Sequence, residues 1–120
     1  MNEFDREWLM DILEYARIAV RVLGSADASQ VASDEQKFLA LTYAIQVVGE
    51  AANQLSPEAR NSLLPEVAWP KVIGMRHRLV HGYRTRSAEV IVQTVREDLP
   101  ALVAIIERVV SEQPGETSNG

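Results

Sequence analysis

The chain has 120 residues, 47% of them hydrophobic, which suits one compact domain with a sizeable core and leaves little room for a two-domain enzyme. It contains no cysteine, which excludes a disulfide scaffold, a thiol nucleophile, an iron–sulfur cluster and the cysteine-rich zinc sites. Twelve Lys/Arg against seventeen Asp/Glu give a net charge of −5, so bulk positive charge cannot be how it meets a nucleic acid.

Asn2, Glu3, Asp5, Arg6 and Glu7 stand where a secretory leader needs apolar residues, and no apolar run reaches membrane-spanning length. A cytoplasmic location without a membrane partner is the expectation. Residues 5–23 place Leu9, Ile12, Ala16, Ala19, Val20 and Leu23 at three- and four-residue spacings, which predicts an amphipathic helix stopped by Gly24. Residues 25–32 are small and polar and read as a loop. Ser33 with Gln36 has capping-box spacing and opens a second helix to about residue 55, with the stripe Phe38, Leu41, Thr42, Ile45, Val48, Ala52 and Leu55. Gly49 in its middle is costly for a helix, and close packing against another helix is what it would permit.

Ser56-Pro57-Glu58 predicts the start of a short third helix, ended by Pro65. Trp69-Pro70 repeats the device for a fourth helix over residues 70–80, with Gly82 placed to terminate it. Ser87 is the expected cap of a last helix carrying Val90, Ile91, Val95, Leu99, Leu102, Ile105, Ile106 and Val109, kinked or split at Pro100. The sum is an all-α antiparallel bundle of four to five helices over residues 1–112, with a flexible tail at 113–120. Trp8, Trp69, Tyr15 and Tyr43 are dispersed at helical spacing, as core or interface aromatics are.

One segment stands apart. Between Lys71 and Arg86 lie Lys71, Arg76, Arg78, Arg84, Arg86 and both histidines, His77 and His81, with no acid, so the rest of the chain carries −10. A local cationic site on an acidic body suits a selective anion contact, with Lys71, Arg78, Arg84 and Arg86 as RNA-contacting cations. Arg76 offers a fork of donors to a phosphate, and His81 can move a proton near neutral pH. With RNA the attacking hydroxyl can be the ribose 2′-OH, so cleavage needs neither metal nor protein nucleophile and leaves a 2′,3′-cyclic phosphate.

On an ideal helix Arg76 and His81 would lie about 140° apart. Either the helix unwinds near His81-Gly82, or a second subunit completes the site across a two-fold axis; the dimer is the favoured arrangement. A solvated or capping role for these same side chains is the plain alternative, with His81 serving the helix C-terminus. His77 and His81 are four apart on one face, but no cysteine or third histidine exists to complete a zinc site.

The stretch Trp69 to Tyr83, WPKVIGMRHRLVHGY, together with Val48-Gly49-Glu50-Ala51 and Glu97-Asp98-Leu99-Pro100, resembles the HEPN superfamily, and within it the HepT toxins of HepT–MNT toxin–antitoxin pairs. Arg76, His77 and His81 match the superfamily pattern of an arginine, a polar residue and a histidine after a short interval. The resemblance implies an HEPN-like bundle and a metal-independent endoribonuclease toxin, homodimeric and without cofactor. Arg76 and His81 would be catalytic, and His77 would support them in a place where many HepT relatives carry Asn. It implies that Tyr83 is the tyrosine that a partner MNT nucleotidyltransferase modifies with AMP, silencing the toxin. Glu50 matches the Gly-Glu pair and would orient motif side chains or pair with a cation. The competing function is a non-catalytic helical subunit that binds nucleotide or partner in a nucleotidyltransferase complex.

Overall fold

The computed structural model describes residues 1–78 and 84–112, with Leu63 described by its backbone alone. His81, Gly82, Tyr83 and the expected tail at 113–120 lie outside the described residues. Among the described residues there are six α-helices and no strand, so the all-α expectation holds.

Helix α1 (Glu3–Leu23) begins two residues before the predicted start, because the Asn2 side chain accepts the Asp5 N–H at 2.7 Å and caps the first turn. It ends at Gly24, whose φ of 53° is the left-handed conformation that a side chain resists, with its N–H on the Val20 carbonyl. Leu9, Ile12, Leu13, Ala16, Ala19 and Leu23 face inward.

The predicted loop at 25–32 is instead mostly helix α2 (Ala28–Ser33). Asp27 and Gln30 form a reciprocal capping box, each side chain holding the other's backbone N–H, and that local closure supports a helix too short to show periodicity. Ser33 therefore lies inside α2, donating to the Gln30 carbonyl, and is not the cap of the next helix. That cap is Asp34, which accepts the Lys37 N–H at the start of α3 (Glu35–Gln54).

Helix α3 buries Leu41, Ala44, Ile45, Val48, Gly49, Ala51 and Ala52, and packs along α1. Lys37 reaches from α3 to the Val22 carbonyl at 2.6 Å, satisfying an end group of α1. Ser56 acts as predicted, its hydroxyl accepting the Ala59 N–H, but the expected third helix runs as a wide π-type turn over Ala59–Leu63. The same Ser56 is held by Asp5, a carboxylate only 3% exposed that accepts its N–H at 2.8 Å and its hydroxyl at 2.6 Å. Trp69 is core: its indole N–H is shared between the Arg60 and Leu64 carbonyls.

Helix α4 (Trp69–Gly74) is shorter than predicted, and the chain tightens into a 3₁₀ turn over Met75–His77. The last predicted helix is split, as Pro100 implied: α5 (Arg84–Gln93), a π-type turn at Thr94–Asp98, then α6 (Leu99–Glu112). The Leu99 N–H reaches back five residues to Thr94, and this wider turn lies just ahead of the proline that has no N–H to offer. Ser87 is buried inside α5 and does not cap it, since the helix already runs from Arg84. Ala88, Ile91, Val95, Leu99, Leu102, Ile106 and Val109 continue one buried stripe through the interruption. No helix among the described residues is long and apolar enough to cross a membrane.

Candidate active site at the junction of α3 and α4

The site is built on Gly49. A Cβ there would meet the Ile73 carbonyl oxygen at 3.3 Å and the Arg76 Cβ and backbone nitrogen at 3.4 Å, so a side chain there would push the α4 segment back by a few tenths of an ångström, and glycine lets it lie this close to α3. Met75 beside it is buried at the core side, and the tightened turn carries Arg76 toward α3. Glu50, next to Gly49, takes the Nη1 of Arg76 as an ion pair. Its other oxygen accepts from Gln54 Nε2 at 3.0 Å. On the far side of the guanidinium, Nε donates to His77 Nε2 at 3.1 Å, which requires that ring nitrogen to be unprotonated.

Gln46, Val47, Glu50, Arg76 and His77 line an open cavity of about 410 Å³. The arginine side chain is 26% exposed, enough for an anion to reach it while its stem stays packed. The structure thus brings together three of the predicted site residues, Glu50, Arg76 and His77. His81 and Tyr83 lie outside the described residues.

The other cations of the segment go elsewhere. Lys71 and Arg78 both pair with Asp98, at 3.0 and 3.3 Å, and Arg78 also donates to Thr94 Oγ1 at 2.8 Å. These bonds tie the motif segment to the turn between α5 and α6. Arg84 lies over the Phe38 ring, 5.1 Å from its centroid, and Arg86 is exposed in the first turn of α5. Among the described residues, no group of three or more His, Asp or Glu is arranged to hold a metal ion.

Gln46 and Gln54 were not singled out from the sequence, although each stands one helical turn from Glu50; once Glu50 is a candidate, that spacing marks them. Asp98 stood within the Glu97-Asp98-Leu99-Pro100 patch, but no spacing pointed to its cations, because they lie 20 and 27 residues away in sequence.

The family model described as "Ribonuclease HepT-like" matches residues 12–109, a span that contains the cavity and all its lining residues. The chain belongs to the HepT-like ribonuclease family. It is 27% identical over 109 residues to "Probable ribonuclease HepT" of Thermococcus cleftensis, covering 91% of this chain and 98% of that one. It is 26% identical over 104 residues to "Putative RNase MJ1380" of Methanocaldococcus jannaschii, covering 87% and 94%. No solved structure matches the chain at a significant level. For this HepT-like protein, family membership carries the endoribonuclease assignment, and the helical bundle agrees with the HEPN-type architecture that the motif residues implied.

Proposed function

We propose that this HepT-like protein is the toxin of a toxin–antitoxin pair, an endoribonuclease that cuts RNA without a metal ion. The ribose 2′-oxygen attacks the adjacent phosphorus, the bond to the 5′-oxygen breaks, and the products are a 2′,3′-cyclic phosphate and a 5′-hydroxyl. Arg76 holds the phosphate and its developing charge; His81 moves the proton between the attacking and leaving oxygens. The observation that carries the reading is Arg76 itself: an ion-paired but accessible guanidinium at an open cavity, inside the segment that matches the family. The purified protein is expected to cut RNA in EDTA and leave cyclic-phosphate ends, and His81→Ala to keep the fold and lose cleavage. Full activity in that variant would remove the assignment.

The active form in this reading is a homodimer. Leu39 and Tyr43, 56% and 59% exposed, lie on the α3 face that continues one turn later into Gln46, Val47 and Glu50 of the cavity, so a second copy covering this apolar face would also border the site. Leu39→Glu should shift the protein to monomer in light scattering and lower cleavage with it. Arg84 and Arg86 extend the RNA contact; Lys71 and Arg78, committed to Asp98, contribute field more than direct bonds. A cytoplasmic MNT-type nucleotidyltransferase is the proposed antitoxin. It would place AMP on Tyr83, seven residues from Arg76, where the added negative charge competes with RNA phosphate. Coexpression followed by intact-mass measurement tests this, and unmodified Tyr83 alongside silenced toxin would reject it. Stable complex formation and nucleotide binding with no RNA cleavage would favour the non-catalytic subunit instead.

A further inference from the structure

A planar guanidinium can grip a phosphate along two edges, each with two parallel N–H bonds: Nη1 with Nη2, or Nε with Nη2. In this structure the Nε–Nη2 edge of Arg76 is half occupied, because Nε has a single hydrogen and His77 accepts it. The bond is 3.1 Å long, so a two-bond grip along this edge requires His77 to leave, whereas Glu50 takes one of the two hydrogens of Nη1.

The two are not equally held. Glu50 is a charged partner whose second oxygen is fixed by Gln54, and releasing it would leave a carboxylate loose beside an incoming anion. His77 is a neutral acceptor on the residue next to Arg76, it is exposed, and it gives up one hydrogen bond that water can replace. We infer that His77 is a displaceable cap on the Nε–Nη2 edge of Arg76, while Glu50 is the fixed brace on Nη1. Phosphate binding is then coupled to turning the imidazole off the arginine. His77 acts through Arg76 and is a positioning residue. The inference rests on the reading of Arg76 as the phosphate-holding group.

The test is binding of an RNA made uncleavable by 2′-O-methyl groups to the purified full chain, followed by fluorescence anisotropy at fixed salt. Removing the cap removes a competitor worth one neutral hydrogen bond, so His77→Ala should tighten binding by about three- to tenfold. His77→Gln, whose amide oxygen can accept from Nε, should stay near the parent. In an Arg76→Ala background the His77→Ala gain should vanish, as a double-mutant cycle demands. With cleavable RNA, His77→Ala should lower KM and leave kcat no higher. Weaker or unchanged binding of His77→Ala, with the circular dichroism melt intact, overturns the cap, as does a gain that persists without Arg76. Because the binding arm needs no catalysis, a parent protein that fails to cut RNA yet shows the gain rejects the ribonuclease reading and keeps the cap. A parent that cuts RNA without the gain does the reverse.

Discussion

Arg76 and Arg78 stand two residues apart, and each is paired with a carboxylate, but they serve different ends. Arg76 meets Glu50 at the rim of an open cavity and keeps Nη2 uncommitted by either Glu50 or His77. Arg78 meets Asp98 and Thr94 in a polar knot that Lys71 also joins, at the turn between α5 and α6. The knot's carboxylate is far less exposed than the cavity's, 15% against 53%. Charge alone did not separate the two arginines, and each has two side-chain partners; how deeply those partners are buried does. In the proposed function the first arginine is the one presented to a ligand, and its near neighbour fastens the segment that carries it.

The largest test of that contrast is Arg76→Ala. It should reduce cleavage by on the order of 10²- to 10³-fold, as for removal of a group that stabilises transition-state charge, while the thermal midpoint barely moves. A large drop in stability with residual activity per folded molecule intact would collapse the distinction. Gly49→Ala comes next: the new methyl presses on the Ile73 carbonyl and the Arg76 backbone, and a displacement of a few tenths of an ångström should cost roughly tenfold in kcat, read in single-turnover cleavage. Asp98→Ala should behave oppositely, destabilising by about 1–3 kcal/mol in urea unfolding because two cations lose their shared partner, with cleavage per folded molecule kept within a few-fold. Lys71→Ala, removing an exposed pair to the same carboxylate, should cost no more than about 0.5 kcal/mol in the same measurement.

A small effect sharpens the α1–α3 side of the molecule. Tyr15 and Tyr43 meet edge-on at 5.8 Å, and the Tyr43 phenol, then desolvation, then Glu14 and Asp11 hold the Tyr15 phenol above its ordinary value of 10.0. Above pH 10 the folded chain therefore keeps a proton that the unfolded chain has released, and stability falls as pH rises through that window. Tyr43→Phe should bring the Tyr15 titration back toward its ordinary value by ultraviolet absorbance.

The sequence was most legible where one face repeats. The stripes of α1, α3 and the last helix needed only three- and four-residue spacing, and Gly49 announced a close approach because nothing else justifies glycine mid-helix. Helix α2 was missed because six residues carry no period, although Asp27 with Gln30 had the same spacing that was assigned to Ser33 with Gln36. The tightening after Gly74 depends on what α4 packs against, so no local pattern foretold it. The Arg76–Glu50 pair spans 26 residues and belongs to the fold; the sequence supplied both members and the expectation that Glu50 pairs with a cation, but not which cation.

The buried Asp5 has a reach longer than its position suggests. It fastens the first helical turn to Ser56, and Ser56 in turn caps the segment that holds the Trp69 indole. An amino-terminal fusion or clipping event that disturbs residues 1–5 would thus be felt more than fifty residues downstream, as new protease sensitivity between Ser56 and Leu64, before any helix of the bundle lets go.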